Sequence, residues 1–216
     1  MTQSRRFAVS LLVFASAAVG QSATTSMTDA DDAEFRDAIR LRLPQSTLTN
    51  AARFVLNRSV VAVPLLQEAV ESDLTEGLGN SRFVSTVSEL IAFAANTEAI
   101  DAIARLCLID EKQFSPMVDR VLNHAITRKR EFEVADYAAE RYPTLRKYVG
   151  KWLETDLSLP LSEELLARSV LRHEAAGDRN PARSLLPLIT ERQREHFETT
   201  LENVRTVERE RERHRQ

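Results

Sequence analysis

The histidines and the cysteine of this sequence form no recognisable catalytic or metal-binding motif. His173-Glu174 begins like the metal-binding helix of a zinc protease, but Gly177 stands where the second histidine is required. No pair of histidines has the three- or four-residue spacing that would place two metal ligands on one helix face. We therefore predict no metal site, no cofactor and no catalytic residue. The four histidines are His124, His173, His196 and His214.

Carboxylates are the next candidates for chemistry. They cluster as Glu131, Glu133 and Asp136 and again as Glu163 and Glu164. A general acid needs a raised pKa, which usually comes from burial, whereas both clusters fall on predicted helix faces or first turns that we expect to be solvated. We predict a protein that is not an enzyme. A carboxylate-dependent helical enzyme is the alternative, because two catalytic acids need not be close in sequence.

Residues 128–152 combine an excess of positive charge with aromatic side chains. They contain seven Lys or Arg against four Asp or Glu. Tyr and Trp interspersed with Arg are typical of the residues that dominate binding at protein interfaces. Alternatively, Tyr148 and Trp152 belong to the core and the cations lie at its edge. The predicted binding patch consists of Arg128, Lys129, Arg130, Arg141, Lys147, Tyr148, Lys151 and Trp152.

The elements that would position these side chains are predicted to be helices. Of the 216 residues, 43% are apolar and 28% are charged, which indicates a soluble protein with a core, and only five are glycine. Apolar residues recur with the helical period over 83–94, 114–125 and 145–153. No segment shows the sustained alternation of a half-buried strand. The sequence therefore predicts an all-α protein of about nine helices.

Helix starts are marked by capping residues. Ser115-Pro116 places a capping side chain before a proline at the first helical position, Thr97-Glu98 marks a second start, and Ser162 marks a third. Gly150, in contrast, interrupts a helical pattern and should cost up to about 1 kcal/mol there.

The predicted helices pair along the chain with a period of roughly 33–37 residues, which is typical of helical hairpins stacked as a solenoid. The best internal match aligns the segment that starts at Ala62 with the segment that starts at Ala99. The predicted pairs are 46–58 with 60–73, 81–95 with 97–108, 114–128 with 130–142, and 144–157 with 162–174.

The segment Ala62-Val63-Pro64-Leu65-Leu66, followed by Glu68-Ala69-Val70, resembles the second helix of bacterial HEAT-like repeats. The resemblance is centred on residues 48–108. It implies a right-handed α-solenoid of antiparallel helical hairpins that serves as a protein-interaction scaffold without catalysis. A compact irregular helical bundle is the alternative architecture, because no regular Asp-Pro or Asn-Pro turn precedes each repeat.

The N-terminus has the pattern of a secretory signal peptide. Arg5 and Arg6 precede an apolar stretch over 7–19, and small residues at Ala18 and Gly20 would allow cleavage after Gly20. We predict an exported protein, periplasmic or extracellular, with no stable membrane span after cleavage. Loss of the two arginines would change the formal charge from −3 to −5, which disfavours nucleic acid as a partner.

The single cysteine, Cys107, is expected to be a small buried hydrophobe.

The remaining domain predictions follow from composition. Residues 21–28 form a polar linker, 29–176 the helical-repeat domain, 177–187 a second linker and 188–216 a long charged C-terminal helix. That helix carries a narrow apolar stripe, so it is either a solvated terminal helix or one that docks on a partner or self-associates.

Taken with the resemblance, these features predict an exported, non-catalytic scaffold with an unidentified protein partner. The alternatives are the helical envelope enzyme and a bundle that carries an apolar or lipid ligand.

Overall fold

The computed structural model of the chain describes Phe35, Ile39 and residues 48–77, 81–157, 160–177 and 182–214. Over these residues all regular structure is helical and no strand occurs, which confirms the all-α prediction. The predicted signal peptide, the polar linker over 21–28 and most of the first part of the predicted helical-repeat domain, residues 29–47, lie outside the described residues.

Nine of the described helices have ten or more residues, and two short ones have four. The long helices are α1 (Leu48–Asn57), α2 (Ser59–Thr75), α3 (Ser81–Ala94), α4 (Thr97–Ile109), α6 (Pro116–Ile126), α7 (Glu131–Arg141), α8 (Arg146–Asp156), α9 (Pro160–Ala176) and α11 (Glu191–Arg213). The short ones are α5 (Glu111–Phe114) and α10 (Ala182–Leu185), and 3₁₀ turns occupy Pro143–Leu145 and Leu186–Leu188.

Side chains at the predicted boundaries determine where several helices begin. Asn96 caps α4, since its Oδ1 accepts a hydrogen bond from the Ala99 amide at 3.1 Å. Thr190 forms a capping box with Gln193, so α11 begins at Glu191 rather than at 188. Ser115 precedes α6 as predicted but makes no side-chain cap, because α5 runs directly into it and its backbone is already helical.

The helices contact one another in an alternating order. Helices α1, α3, α6 and α8 contact in succession, and so do α2, α4 and α7, with α10 packed on α7. Within three of the four predicted pairs, the partners also contact each other: α1 contacts α2, α3 contacts α4, and α6 contacts α7. The periodic apolar faces expected over 83–94 and 114–125 lie in this core, where they bury Val84, Val87, Val118 and Leu122.

The C-terminal helix packs on the chain itself. Helix α11 contacts α9, and Phe197 and Val204 of its apolar stripe are buried there, while Val207 is exposed. Ion pairs reinforce the contact, since Arg205 Nη2 lies 3.2 Å from Glu174 Oε2.

The segment expected to be a linker over 177–187 includes α10, whose Leu185 is buried.

Gly150 lies within α8, which continues through it, and packing explains why this position has no side chain. A Cβ atom at this position would lie 3.3 Å from the carbonyl oxygen of Leu188, in the 3₁₀ turn that crosses the helix. The absence of a side chain therefore allows the turn to approach the helix closely.

We expect Gly150→Leu to lower the free energy of unfolding by about 2 kcal/mol, because the added atoms overpack this contact by more than the gain in helix propensity offsets. Glu154→Leu, on the exposed side of the same helix, is the control and should change it by less than about 0.5 kcal/mol. Urea unfolding followed by circular dichroism measures both. Equal effects of the two substitutions would contradict the packing role.

Lys129 adopts a left-handed conformation, with φ of 57°, in the turn after α6. The Lys129 amide donates to the Ile126 carbonyl at 3.0 Å and the Arg130 amide to the Ala125 carbonyl at 3.2 Å. This is the Schellman pattern, in which glycine usually takes the left-handed position.

Lys129→Gly should therefore raise the free energy of unfolding by about 1 kcal/mol, because the left-handed backbone is costly for a residue with a Cβ atom. Lys151→Gly, within α8, should lower it by a similar amount, about 1 kcal/mol. The two urea midpoints should move in opposite directions. A Lys129→Gly variant that loses stability as Lys151→Gly does would refute the strain at this turn.

Candidate functional site

The residues of the predicted binding patch lie in several separate environments. Arg128 connects two helical hairpins: its guanidinium donates to the Phe93 carbonyl at 2.6 Å and to the Ala94 carbonyl, both at the C-terminus of α3. The same group lies 5.8 Å from the centre of the Phe93 ring. Arg128 thus supplies donors to carbonyls that a helix end leaves without partners, and its role is structural.

Arg141 of the patch lies near Asp101 of α4, together with two tyrosines outside the patch. Asp101 Oδ1 accepts hydrogen bonds from Tyr137 at 2.8 Å and from Tyr142 at 2.7 Å. The Nε atom of Arg141 lies 3.8 Å from the same oxygen. Burial, together with the hydrogen bond and the charge of Asp101, raises the pKa of Tyr137 to about 12. Both hydroxyls are therefore donors at neutral pH, and Asp101 offsets the charge of Arg141.

A third group surrounds Glu111 at the start of α5. Glu111 Oε1 accepts hydrogen bonds from Lys147 at 2.6 Å and from the Tyr148 hydroxyl at 2.7 Å. These two bonds lower the pKa of Glu111. The ammonium of Lys147 also lies 4.8 Å from the centre of the Tyr148 ring. Tyr148 is half-buried, so this cluster presents an aromatic edge and a cation at the surface.

The remaining patch residues divide between core and solvent. Trp152 is buried, with its indole nitrogen donating to Asn123 Oδ1 at 3.1 Å and its ring against Phe132. It is a core residue, as the alternative interpretation expected. The side chains of Lys129 and Lys151 are exposed and form no ion pair with a described residue, whereas Arg130 pairs with Glu133 at 3.1 Å.

Sequence reasoning did not identify Asp101 and Glu111 as partners of the patch. Each lies 36 or more positions before the tyrosines that it binds, and nothing in the local pattern marks either acid. Only the contact between successive hairpins brings them together.

Two acids that we expected to be solvated are buried. Glu163 is covered where α9 meets α11, and its Oε2 lies 2.6 Å from Nδ1 of His196. Glu131, in the first turn of α7, is only 5% exposed. Burial raises the pKa of Glu131, and the nearby Asp156 carboxylate adds to the rise. The prediction of solvated faces is wrong for both because helices later in the chain cover them.

Glu131 lines a cleft of about 280 Å³ between α7, α9 and α11. Burial also raises the pKa of Asp156, whereas a hydrogen bond with Ser162 lowers this pKa. The cleft joins the turn before α7 to the side of α9, so its walls come from the N-terminal end of the patch region and from the C-terminal part of the chain. It is lined by Lys129, Arg130, Glu131, Phe132, Glu133, Leu165, Arg168, Ser169, Arg172 and Glu208.

Within the part of the chain that the structure describes, no three or more His, Cys, Asp or Glu side chains are grouped so as to hold a metal ion. The described helices also include none with the length and apolarity needed to cross a bilayer.

Comparison with protein-family models, curated proteins and solved structures finds no match to this chain. The similarity to HEAT-like repeats therefore stays a prediction.

Cys107 lies beside the Glu111 cluster and is half-buried. Burial, aided by the negative charges of Glu111 and Asp110, raises the pKa of its thiol to about 11, while Lys147 acts in the opposite direction. The thiolate is the reactive form, so the folded protein suppresses its reactivity.

At pH 8 we expect iodoacetamide to alkylate Cys107 roughly 100-fold more slowly in the folded protein than in urea, since two pKa units reduce the thiolate fraction by about that factor. Glu111→Gln should accelerate the reaction and Lys147→Gln should slow it. Mass spectrometry of quenched samples gives the rates. Equal rates in the folded and unfolded protein would contradict the raised pKa.

Proposed function

We propose that this protein is a non-catalytic protein-interaction scaffold, exported to the periplasm or the extracellular space and built as an α-solenoid of helical hairpins. The alternating order of helix contacts carries this proposal. In a stack of hairpins each helix packs on its counterpart in the next hairpin, and α1, α3, α6 and α8 pack in that succession, as α2, α4 and α7 do.

Hydrogen bonds between hairpins support the same arrangement. Asn96 Nδ2 donates to Ser59 Oγ over 37 positions, Arg128 to the Phe93 carbonyl over 35, and Tyr148 to Glu111 over 37. These separations lie in the range of the period that the sequence predicts. A recurring bond of this spacing is expected where similar units stack in the same orientation.

The surface that would bind a partner lies where α4 ends, next to the point at which Glu111 of α5 bonds to Lys147 and Tyr148 of α8. Leu108 is 81% exposed, and the neighbouring Ile109 is also exposed. They directly precede the cluster formed by Glu111, Lys147 and Tyr148. We call Leu108, Ile109, Glu111, Lys147 and Tyr148 together the α4–α8 surface. Large exposed apolar groups beside a tyrosine and a cation have the composition of an interface hot spot.

The charge around this surface favours an acidic partner. Arg105, Lys112 and Lys151 are exposed and form no ion pair with a described residue. A partner segment with apolar and acidic side chains would complement both the exposed leucine and these cations.

Export is supported by the signal-peptide pattern over 1–20.

A binding experiment with matched variants tests the proposal. The full-length gene, with a C-terminal tag, is expressed in a host envelope, cross-linked, and the captured proteins are quantified by mass spectrometry. We expect the double variant Leu108→Glu and Tyr148→Ala to lose at least 90% of a specifically captured partner, because both substitutions fall in the proposed hot spot.

Val60→Glu is the control, since Val60 is a 68% exposed apolar residue on α2, outside the α4–α8 surface. It should retain the partner, and circular dichroism should show that all variants are equally helical. Absence of any specific partner, or equal loss in the control, would overturn the scaffold proposal.

A further inference from the structure

Helix α2 is apolar on its outer side as well as on its buried side. The helix packs on α1, α3 and α4, and its buried positions are Ala62, Val63, Leu66, Gln67, Val70 and Asp73. The outer side begins with four apolar residues, which are Val60, Val61, Pro64 and Leu65. Their spacing of i, i+1, i+4 and i+5 places them together on one helical face. We call these four residues the α2 face.

The α2 face is open to solvent. Val60 is 68% exposed and Pro64 is also exposed, whereas Val61 and Leu65 are half-buried. A helix that is apolar on all sides is normally enclosed by other elements, and a continuous exposed apolar face marks an interaction site. The α2 face is therefore a surface that a partner is expected to cover.

Charges of opposite sign lie at the two ends of this face. Arg58 directly precedes α2, and Glu68 is exposed about one turn beyond Leu65. Helix α2 itself contains no Lys or Arg, and Glu71 follows Glu68 in its second half. The surface thus has a positive end, an apolar centre and a negative end.

We propose that a second copy of this chain covers the α2 face, with the two α2 helices antiparallel about a two-fold axis. An axis that passes between Val61 and Pro64 brings Val60 of each copy to Leu65 of the other. The same register places Arg58 of each copy beside Glu68 of the other. Apolar groups then cover one another and each charged end meets the opposite charge, as a self-complementary interface requires.

The charge pattern favours a second copy over other occupants. In a parallel pair of α2 helices, the two Arg58 side chains would lie together, and so would the two Glu68 side chains. An acidic peptide or an anionic lipid surface would attract Arg58 but would be repelled by Glu68 and Glu71 at the other end of the face. The antiparallel copy matches both ends at once.

The size of the face sets the expected strength of the dimer. One helix face from each copy covers less than the roughly 800 Å² per partner of a standard interface, so we expect a dissociation constant on the order of 10 μM. The α2 face lies apart from the α4–α8 surface, and the dimer does not depend on the scaffold proposal. A Val60→Glu variant should be impaired in self-association and still capture the partner, so the two proposals can fail separately.

Sedimentation equilibrium of the chain purified from an exporting host tests the dimer. Between about 1 μM and about 300 μM, the mean mass should rise from that of one chain toward that of two. Val60→Glu should weaken the association at least ten-fold, because it places a carboxylate in the apolar centre of the interface. The control is Val207→Glu, at a 41% exposed position of α11, which should associate as the unmodified chain does.

Two results would overturn the proposal. One is a chain that stays monomeric at every concentration, which is the result expected if residues 29–47 of the same chain cover the α2 face. The other is a Val60→Glu variant that dimerises as tightly as the unmodified chain.

Reversal of the two charges tests the antiparallel register. Arg58→Glu and Glu68→Lys should each weaken self-association about five-fold or more, since each places like charges opposite one another twice. An equimolar mixture of these two variants should associate within about three-fold of the unmodified chain, because each variant supplies the charge that the other lacks. Glu198→Lys, at an exposed position of α11, is the control and should have no effect. Circular dichroism should show equal helicity for all variants, and a mixture that associates no more tightly than either variant alone would refute this pairing.

Discussion

The packing of α4 among four other long helices is the constraint on which the rest of the described structure depends. This helix contacts α2, α3, α6 and α7, and its buried side chains are small or branched: Ala99, Ile100, Ala102, Ile103, Ala104 and Leu106. Small residues allow the neighbouring helices to approach closely. Polar residues at the start of α4 and along one edge, among them Asn96 and Asp101, bond to the neighbouring helices.

Charge in this protein is used mainly to join hairpins. The cations that give residues 128–152 their positive excess engage groups on earlier helices: Arg128 binds carbonyls of α3, Arg141 approaches Asp101, and Lys147 binds Glu111. The apparent basic patch is thus partly neutralised by acids that lie far away in sequence. Exposed ion pairs of this kind contribute little each, so their main effect is to select one orientation of neighbouring hairpins.

The helical faces could be predicted from the sequence because burial of Val84, Val87, Val118 and Leu122 repeats with a local period. The trajectory of the chain after a helix could not, which explains the wrong prediction for Glu131 and two features that the sequence did not reveal. Glu131 is buried by helices that come later in the chain. Asp101 has no local feature that marks it as the partner of two tyrosines. Lys129 holds a left-handed position where no glycine signals the turn, so the sequence offers no sign of it.

The C-terminus of α3 is completed by a side chain that lies 35 positions later in the chain. Asn96 both caps α4 and donates to Ser59 at the start of α2, while Arg128 covers the last carbonyls of α3. The last turn of α3 therefore lacks these hydrogen-bond partners until the chain has reached Arg128. A chain that ends before this residue is expected to fray at the end of α3, so this helix is completed only after the turn that follows α6 has formed.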